Sequence, residues 1–222
     1  MKRGTKIALA ITFALIVGGV GYFAIGQPIQ VLPRLQTAVP FEMHDQNGDV
    51  YRYPDGAGAI NVYVVVAAWD EAAVARAERL LESVYARLEA EDALPYARIA
   101  WITPDPVNDD LQSIRSLATR LPILKATGAS LLMAAPAAVR FAVGAGMGVY
   151  VGPQPEPGQR VSYEPTLVLV DDQGWVRGRY GVRSADERSL LRDISLLAAE
   201  VKAQGAERAL YKAAHLFLCY PR

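Results

Sequence analysis

The sequence predicts an α/β fold in which a central mixed sheet is flanked by helices. Residues 60–66 form a continuous apolar run rich in valine, which is typical of a strand that is buried on both faces. This run passes directly into a segment with apolar residues at helical spacing. A second strand at 97–102 is followed by a second helix from Leu111. Strands and helices that alternate in this order predict parallel pairing with right-handed crossovers.

The chain begins with a predicted membrane anchor. Lys2, Arg3 and Lys6 precede the uncharged stretch 7–26, whose length matches the ~20 residues that span a bilayer as a helix. The positive flank predicts a cytoplasmic N-terminus. We therefore expect a single-pass protein of the plasma membrane, with the bilayer as a partner and the domain on the periplasmic or extracytoplasmic side. The alternative is a cleaved signal peptide, but the run exceeds the usual ~7–15 residues and no A-x-A site follows it.

The rest of the chain divides into a tether, a domain and a tail. The predicted parts are the flank and anchor at 1–26, an extended proline-containing tether at 27–40, the folded domain at 41–203 and an apolar tail at 204–222. The tail is more apolar than a domain of this kind requires, so we expect it to contact lipid or a protein partner. Its contact candidates are Leu210, Tyr211, Leu216 and Phe217.

The first core strand and the first long helix meet at a turn that contains no cysteine. Asp70 stands at the predicted N-cap, and Glu71 follows in the first turn, where the helix dipole favours negative charge. These roles account for both carboxylates without a catalytic or metal-binding function. The helix is predicted to bury Val74, Ala77, Leu81, Val84 and Leu88.

Two hairpins are predicted. Asn47-Gly48 is a favoured tight turn within the first hairpin, at 41–53. The second joins the apolar strand 166–170 to the strand 175–180. Ser184 and Glu187 have the spacing of a capping box in front of a final amphipathic helix.

The apolar stretch 131–151 admits two interpretations. Pro136 and Arg140 lie inside it, and its glycines weaken a continuous helix. These residues favour a short helix followed by a glycine-rich loop or a short strand over a second membrane span. The GAGMG segment at 144–148 lacks both the lysine pattern and the preceding strand of a phosphate-binding loop.

Composition excludes several classes of function. Lys and Arg number 23, and Asp and Glu also number 23, so the basic surplus of an electrostatic nucleic-acid binder is missing. The one cysteine, Cys219, rules out an intrachain disulfide, a cysteine-rich zinc site and a CxxCH haem attachment site. His44 and His215 are too far apart in sequence to suggest a histidine-rich cluster. We therefore expect no cofactor and no nucleic-acid partner.

Two segments together resemble the SCO family of membrane-anchored thioredoxin-like copper proteins. Residues 99–110, IAWITPDPVNDD, are similar to the family's "vfvSvDPerDt" segment. Residues 167–180, LVLVDDQGWVRGRY, are similar to its "ifLiDpdGrlr..y" segment. The resemblance covers about residues 41–203 and implies a thioredoxin-like fold. It also implies the cis-proline turn that precedes the last hairpin of such folds, so we expect a cis bond between Glu164 and Pro165.

The family's metal ligands are missing from this sequence. SCO proteins bind copper through CxxxC at the strand-to-helix turn and a distal histidine. Aligned without gaps, the cysteine positions fall on Asp70 and Val74, and the histidine position falls on Tyr163. These residues lack the thiolate and imidazole groups that suit copper, and thiol exchange requires a thiolate. We therefore expect a degenerate member with no metal ligand and no catalytic residue, which is not an enzyme. A peroxidase or reductase on this fold would need a thiol-independent chemistry.

The acidic residues near the second helix admit a second explanation. Asp105, Asp109 and Asp110 provide the oxygen ligands that calcium prefers, but their spacing is not that of an EF-hand. A solvated loop and a helix cap explain them more simply, and this is the interpretation that we favour.

The sequence leaves two functions open. The first is a non-catalytic accessory subunit of a bacterial respiratory electron-transport complex, of the alternative complex III or cytochrome oxidase type. The second is a copper-handling assembly factor for cytochrome oxidase. That function would need Met43, His44, Met133 or Met147 in place of the missing ligands. These four residues are scattered in sequence, so we favour the first function.

Overall fold

A computed structural model gives the fold. It describes residues 30–54, 60–154, 156 and 158–217, together with 4, 5, 11–14, 17, 18 and 21. The chain divides into a larger unit, Leu32–Lys202, and a smaller one that comprises Met1–Val31 and Ala203–Arg222. Most of the predicted anchor lies outside the described residues. Within the described part, no helix combines the length and the apolarity needed to cross a membrane, so the anchor stays a prediction.

The larger unit alternates strands and helices as predicted. Its strands are β1 (Gln36–Thr37), β2 (Phe41–His44), β3 (Val50–Tyr53), β4 (Ile60–Val65), β5 (Ala97–Ile102), β6 (Ser130–Leu132), β7 (Thr166–Asp171) and β8 (Trp175–Gly181). Its helices are α1 (Glu71–Ala90), α2 (Leu111–Arg120), α3 (Pro122–Thr127), α4 (Pro136–Val139) and α5 (Glu187–Lys202). A 3₁₀ turn covers Leu94–Tyr96 and a π-helical segment covers Arg140–Gly146. The smaller unit contains α6 (Gly205–Phe217).

The central sheet is mixed, as the sequence predicts. Its order is β1-β8-β7-β4-β5-β6. Strands β4, β5 and β6 are parallel, whereas β7, β8 and β1 join the sheet by antiparallel pairing. The predicted hairpin at 41–53 forms a separate sheet from β2 and β3. Because β1 pairs with the outer edge of β8, residues 36–37 of the predicted tether belong to the main sheet.

Strand β4 is apolar throughout because both faces of the sheet are covered. Val62 and Val64 face a layer formed by α1, α2, α3 and α5. Tyr63 and Val65 face the opposite layer, which the β2–β3 hairpin and residues 136–149 supply. Successive strand residues point to opposite faces, so one uninterrupted apolar run serves both cores.

The first two helices begin where the sequence predicts. Asp70 accepts a hydrogen bond from the backbone N–H of Ala73 at 3.2 Å, and Asp110 accepts one from Ser113 at 2.8 Å. These contacts satisfy amide groups that have no partner inside the helix.

The predicted capping box in front of α5 is wrong. The helix begins at Glu187, and Asp186 accepts hydrogen bonds from the backbone N–H of Arg188 at 3.2 Å and the hydroxyl of Ser189 at 2.8 Å. Glu187 instead accepts a hydrogen bond from Ser83 of α1 at 2.7 Å. Because Asp186 is closer to the helix than Ser184, it serves as the cap and leaves Glu187 to bind the neighbouring helix.

The stretch 131–151 is divided among short elements and forms no second membrane span. Residues 130–132 form β6, which the sequence did not predict, and 136–146 form the short helical segment that was predicted. Two of its glycines pack tightly against the chain near β1. A Cβ on Gly146 would lie 2.6 Å from Cγ2 of Val39, and one on Gly148 would collide with Arg179 and Gln36. The glycine-rich segment therefore serves close packing.

The cis bond predicted at Glu164–Pro165 is wrong. The cis peptide bond in the described part of the chain joins Tyr53 to Pro54. Around Pro165 the chain is extended and hydrogen-bonded on both sides. Glu164 donates from its backbone N–H to the carbonyl of Tyr150 at 3.1 Å, and the carbonyl of Pro165 accepts from Val182 at 2.7 Å. This pairing leads the trans chain directly into β7.

We predict that Gly148→Ala lowers the free energy of unfolding by about 1–3 kcal/mol. Gly148 has a φ of +68°, a left-handed conformation that penalises a Cβ, and its new methyl group would meet the Oε1 atom of Gln36 at 2.7 Å. Chemical denaturation of the full chain in detergent, followed by circular dichroism, measures the change.

Gly144→Ala is the matched control. Gly144 lies in the same segment without a left-handed φ, and its Cβ would come no closer than 3.9 Å to the carbonyl of Val149. We expect this variant to unfold within about 0.5 kcal/mol of the parent chain. Equal destabilisation by the two substitutions would contradict the packing explanation.

Candidate functional site

The candidate site is the turn Ala67–Asp70, which joins β4 to α1. Its backbone amides point toward side chains from two other parts of the chain. Ala67 donates from its N–H to the hydroxyl oxygen of Tyr163 at 3.1 Å, and Ala68 donates to Oδ2 of Asp109 at 2.7 Å. The turn is therefore fixed by contacts that are remote in sequence.

Two of the three positions that the sequence resemblance aligns with copper ligands are in direct contact. The hydroxyl of Tyr163 donates to Oδ2 of Asp70 at 3.0 Å, and Arg183 donates to the same oxygen at 2.5 Å. Burial raises the pKa of Tyr163 above its usual range, so this phenol stays protonated as a donor. The third position, Val74, is buried in the core beneath α1. The arrangement satisfies the carboxylate of Asp70 with donors from the chain itself.

Trp69 closes the outer side of the turn. Its ring meets the ring of Tyr163 edge to face, with 5.9 Å between centroids. The guanidinium of Arg160 lies 4.5 Å from the Trp69 ring centroid, which is a cation–π geometry. The indole N–H donates to Oδ2 of Asp105 at 3.0 Å. Both the face and the polar edge of the indole are thus engaged.

The prediction of a solvated acidic loop is wrong for Asp105 and Asp109. Both are buried, with exposed fractions of 0% and 1%. Oδ2 of Asp105 accepts from Trp69, from Asn108 at 2.8 Å and from the N–H of Val161 at 3.1 Å. They are buried because the N–H groups of the turn and of the segment before β7 need acceptors.

Asp109 and Asp110 are neighbours in sequence, but they differ in burial and in the direction in which their pKa is shifted. Asp109 accepts from Ala68 and from the hydroxyl of Thr103 at 2.5 Å. Burial raises the pKa of Asp109, and the charge of Asp105 adds to the increase. Asp110 is exposed and caps α2 as predicted, and hydrogen bonds from Ser113 lower its pKa.

The residues at the turn do not fit copper. They supply a carboxylate that is already bonded to Tyr163 and Arg183, a phenol and an aliphatic side chain, whereas copper(I) prefers sulfur and imidazole ligands. In the described ranges, no group of three or more His, Cys, Asp or Glu side chains is arranged to hold a metal ion. The carboxylate of Asp70 is already bonded within the chain, so the turn has the features of a structural element and not of a metal site.

The other predicted candidates are distributed over the chain. Met43 and Met147 are buried in the core under the hairpin, with exposed fractions of 1% and 0%. His44 is exposed and Met133 is half-buried, and the backbone pairs them directly.

The contact candidates of the tail all belong to α6. Leu210 is exposed and Tyr211 is half-buried, whereas the side chains of Leu216 and Phe217 lie outside the described part. Cys219 also lies outside it.

Sequence analysis missed Arg160 and Arg183. Neither belongs to a recognisable motif, and each reaches the turn only through tertiary folding. The repeated aspartates after β5 were noticed, but local composition gave no sign that the turn would cover them.

The solved structures that resemble this chain include several Sco proteins, whereas no protein-family model and no curated protein sequence matches it. BsSco, described as a member of the Sco family of cytochrome c oxidase assembly proteins, has a TM-score of 0.61 and 19% identity, over 76% of this chain and 98% of its own. A SCO1/SenC family lipoprotein from Bacillus anthracis has a TM-score of 0.62 and 19% identity, over 75% and 97% of the two chains. Yeast Sco1 with copper bound has a TM-score of 0.60 and 16% identity, over 82% and 98%.

These likenesses show the fold. The chain has the mixed sheet and flanking helices of the thioredoxin-like Sco proteins and covers nearly the whole length of each structure. The resemblance that the two sequence segments predicted is confirmed at the level of the fold. A shared fold carries different functions on different sites, so function depends on the residues at the turn and around it.

We predict that Asp109→Asn changes how stability depends on pH. Burial raises the pKa of Asp109 in the folded state above its ordinary value, so the folded chain keeps a proton that the unfolded chain has released. The free energy of unfolding of the parent chain therefore falls relative to the variant as the pH rises above about 4. Denaturant titrations from about pH 2 to about pH 8 measure this difference and also cover the range in which the control acts.

Asp110→Asn is the control with the opposite sign. The pKa of Asp110 is lowered in the folded state, so Asp110 contributes stability that is lost as the pH falls below about 4. If the free energy of unfolding of the parent chain and that of Asp109→Asn change with pH in the same way above about pH 4, the result would contradict a raised pKa at Asp109.

We also predict that the fold places residues 70, 74 and 163 close enough together to bind one metal ion. The triple variant Asp70→Cys, Val74→Cys, Tyr163→His should gain copper(I) binding, because positions 70 and 74 are neighbours on one helix face and position 163 contacts position 70. Competition with a copper(I) chelator measures affinity in the full chain. The control variant Asp70→Ser, Val74→Ser, Tyr163→Asn changes the same positions without soft ligands. A folded triple variant that binds no more copper than this control would contradict the placement.

Proposed function

We propose that this chain is a non-catalytic Sco-fold protein that acts in the assembly of a cytochrome oxidase-type respiratory complex. It works through protein contacts and not through a metal at its strand-to-helix turn. One observation carries the second part of the proposal. Tyr163 and Arg183 donate to Asp70, a position that the sequence resemblance aligns with a copper ligand of the SCO family, so the turn is closed by its own residues.

The assembly role rests on the described role of a structural neighbour. BsSco belongs to a family described as cytochrome c oxidase assembly proteins. This description favours the assembly alternative over the permanent accessory subunit that the sequence alone suggested. That alternative also includes copper handling, which we do not assign to the turn because Asp70, Val74 and Tyr163 lack the ligand groups that suit copper.

The proposed location is the extracytoplasmic face of the plasma membrane. The basic flank and the apolar run at 7–26 support an N-terminal anchor. The SCO1/SenC neighbour from Bacillus anthracis is described as a lipoprotein, which also supports a membrane-attached domain. Attachment would bring the domain close to membrane-embedded subunits of a respiratory complex.

Two exposed aromatic side chains mark a contact surface. Phe141 and Tyr150, which we call the aromatic pair, have exposed fractions of 57% and 60%. They lie in the apolar stretch 131–151. The carbonyl of Tyr150 accepts from the N–H of Glu164, the residue after Tyr163, so this part of the surface adjoins the turn. Aromatic side chains of this kind commonly dominate protein interfaces.

We predict that the double variant Phe141→Ser, Tyr150→Ser loses oxidase-type partners. Mild solubilisation of membranes, affinity capture of the full chain and quantitative mass spectrometry should show at least about a tenfold loss of haem- or copper-containing subunits. Tyr96→Ser is the matched control, since Tyr96 is a 42% exposed aromatic residue on a different surface turn. Equal capture by all three chains would contradict the role of the aromatic pair.

Pulse labelling separates assembly from permanent membership. An assembly factor is captured with newly made, incomplete complexes and released from finished ones. A permanent subunit stays in finished complexes in fixed proportion. Capture of the chain without any respiratory subunit would overturn the proposed function.

A further inference from the structure

The backbone brings together an imidazole and a thioether that are remote in sequence. His44 donates from its N–H to the carbonyl of Met133 at 2.9 Å, and Met133 donates back to the carbonyl of His44 at 2.9 Å. This reciprocal pair forms an antiparallel bridge between the end of β2 and the residue after β6. Residues paired in this way project their side chains from the same face, with Cβ atoms about 4.5–5.5 Å apart.

On this shared face His44 reaches solvent, whereas the side chain of Met133 packs at the edge of the core that contains Val62 and Val64. Met43 precedes His44 and points into the core, so strand alternation turns His44 outward. His44 is exposed and Met133 is half-buried. The imidazole has no hydrogen bond or ion pair to any residue in the described ranges of the chain. Its ring nitrogens are therefore available for an external ligand.

The two donors select a narrow class of ligand. Thioether sulfur prefers soft ions, and imidazole also suits copper, so together they favour copper(I) over the hard ions calcium and magnesium. The nearest carboxylate along the chain, Asp45, is occupied within the hairpin. Its Oδ1 accepts from the backbone N–H groups of Asn47 at 2.8 Å and Asp49 at 2.9 Å.

We propose that His44 and Met133 form a surface site for a soft monovalent metal ion of the copper(I) class. The site is distinct from the turn, since it uses the edge where the hairpin meets β6. Two protein ligands leave further coordination positions open, which suits an ion that is received and passed on. Its role in copper delivery rests on the proposed assembly function, whereas binding itself does not.

Copper(I) titration of the full chain in detergent tests the site. Competition with a chelator should show a single copper(I) ion per chain, and His44→Gln and Met133→Leu should each weaken binding about tenfold or more. Met43→Leu is the matched control, because it changes the adjacent methionine on the buried side. X-ray absorption of the loaded chain should show both nitrogen and sulfur ligands, and both variants should alter that spectrum.

Three outcomes overturn the site. They are the absence of copper(I) binding, binding that is unchanged in both variants, and equal weakening in the control. Partner capture is the separate readout for the proposed function. If the chain binds no copper(I) but still captures incomplete respiratory complexes, the metal site fails and the assembly role stands. If copper(I) binds through His44 and Met133 but no respiratory subunit is captured, the metal site stands and the assembly role fails.

Discussion

The hydrogen bond from the backbone of Ala68 to the buried carboxylate of Asp109 is the contact on which the shape of the site depends. A buried carboxylate is costly unless donors surround it, and an amide N–H in a buried turn is costly without an acceptor. The turn and the loop after β5 remove both penalties together. Tyr163 holds the same turn from the other side through Ala67 and Asp70. The site is therefore rigid because each side supplies what the other lacks.

A buried charge with several hydrogen-bond partners also stabilises the β7–β8 hairpin, which Tyr163 precedes and Arg183 follows. Arg177 on β8 is fully buried and donates to Asp171 at 2.8 Å, Glu200 at 2.9 Å and the carbonyl of Leu32 at 2.8 Å. These bonds join the β7–β8 hairpin to α5 and to the segment before β1. Loss of one partner from such a buried cluster leaves charge without compensation, which is strongly destabilising. Buried charge in this protein thus joins separate elements of the fold.

Local sequence determined what could be predicted. Strand β4, helix α1 and the cap at Asp70 follow from residues that are close in sequence, and all three are correct. The burial of Asp109, the trans bond at Pro165 and the pairing of His44 with Met133 depend on segments far apart in the chain. Periodicity and turn chemistry carry no information about such contacts. The sequence showed that Asp70, Val74 and Tyr163 lack thiolate and imidazole groups, but it did not show the hydrogen bonds that Asp70 and Tyr163 make.

Anomalous X-ray diffraction at the copper edge, from crystals of the full chain grown with copper(I), tests most directly whether the turn is closed. We predict no anomalous peak within bonding distance of Asp70 or Tyr163. We also predict that the hydroxyl of Tyr163 remains hydrogen-bonded to Asp70, as it is at 3.0 Å here. A copper peak at the turn, with Tyr163 displaced from Asp70, would contradict the conclusion that the turn is closed by hydrogen bonds among its own residues.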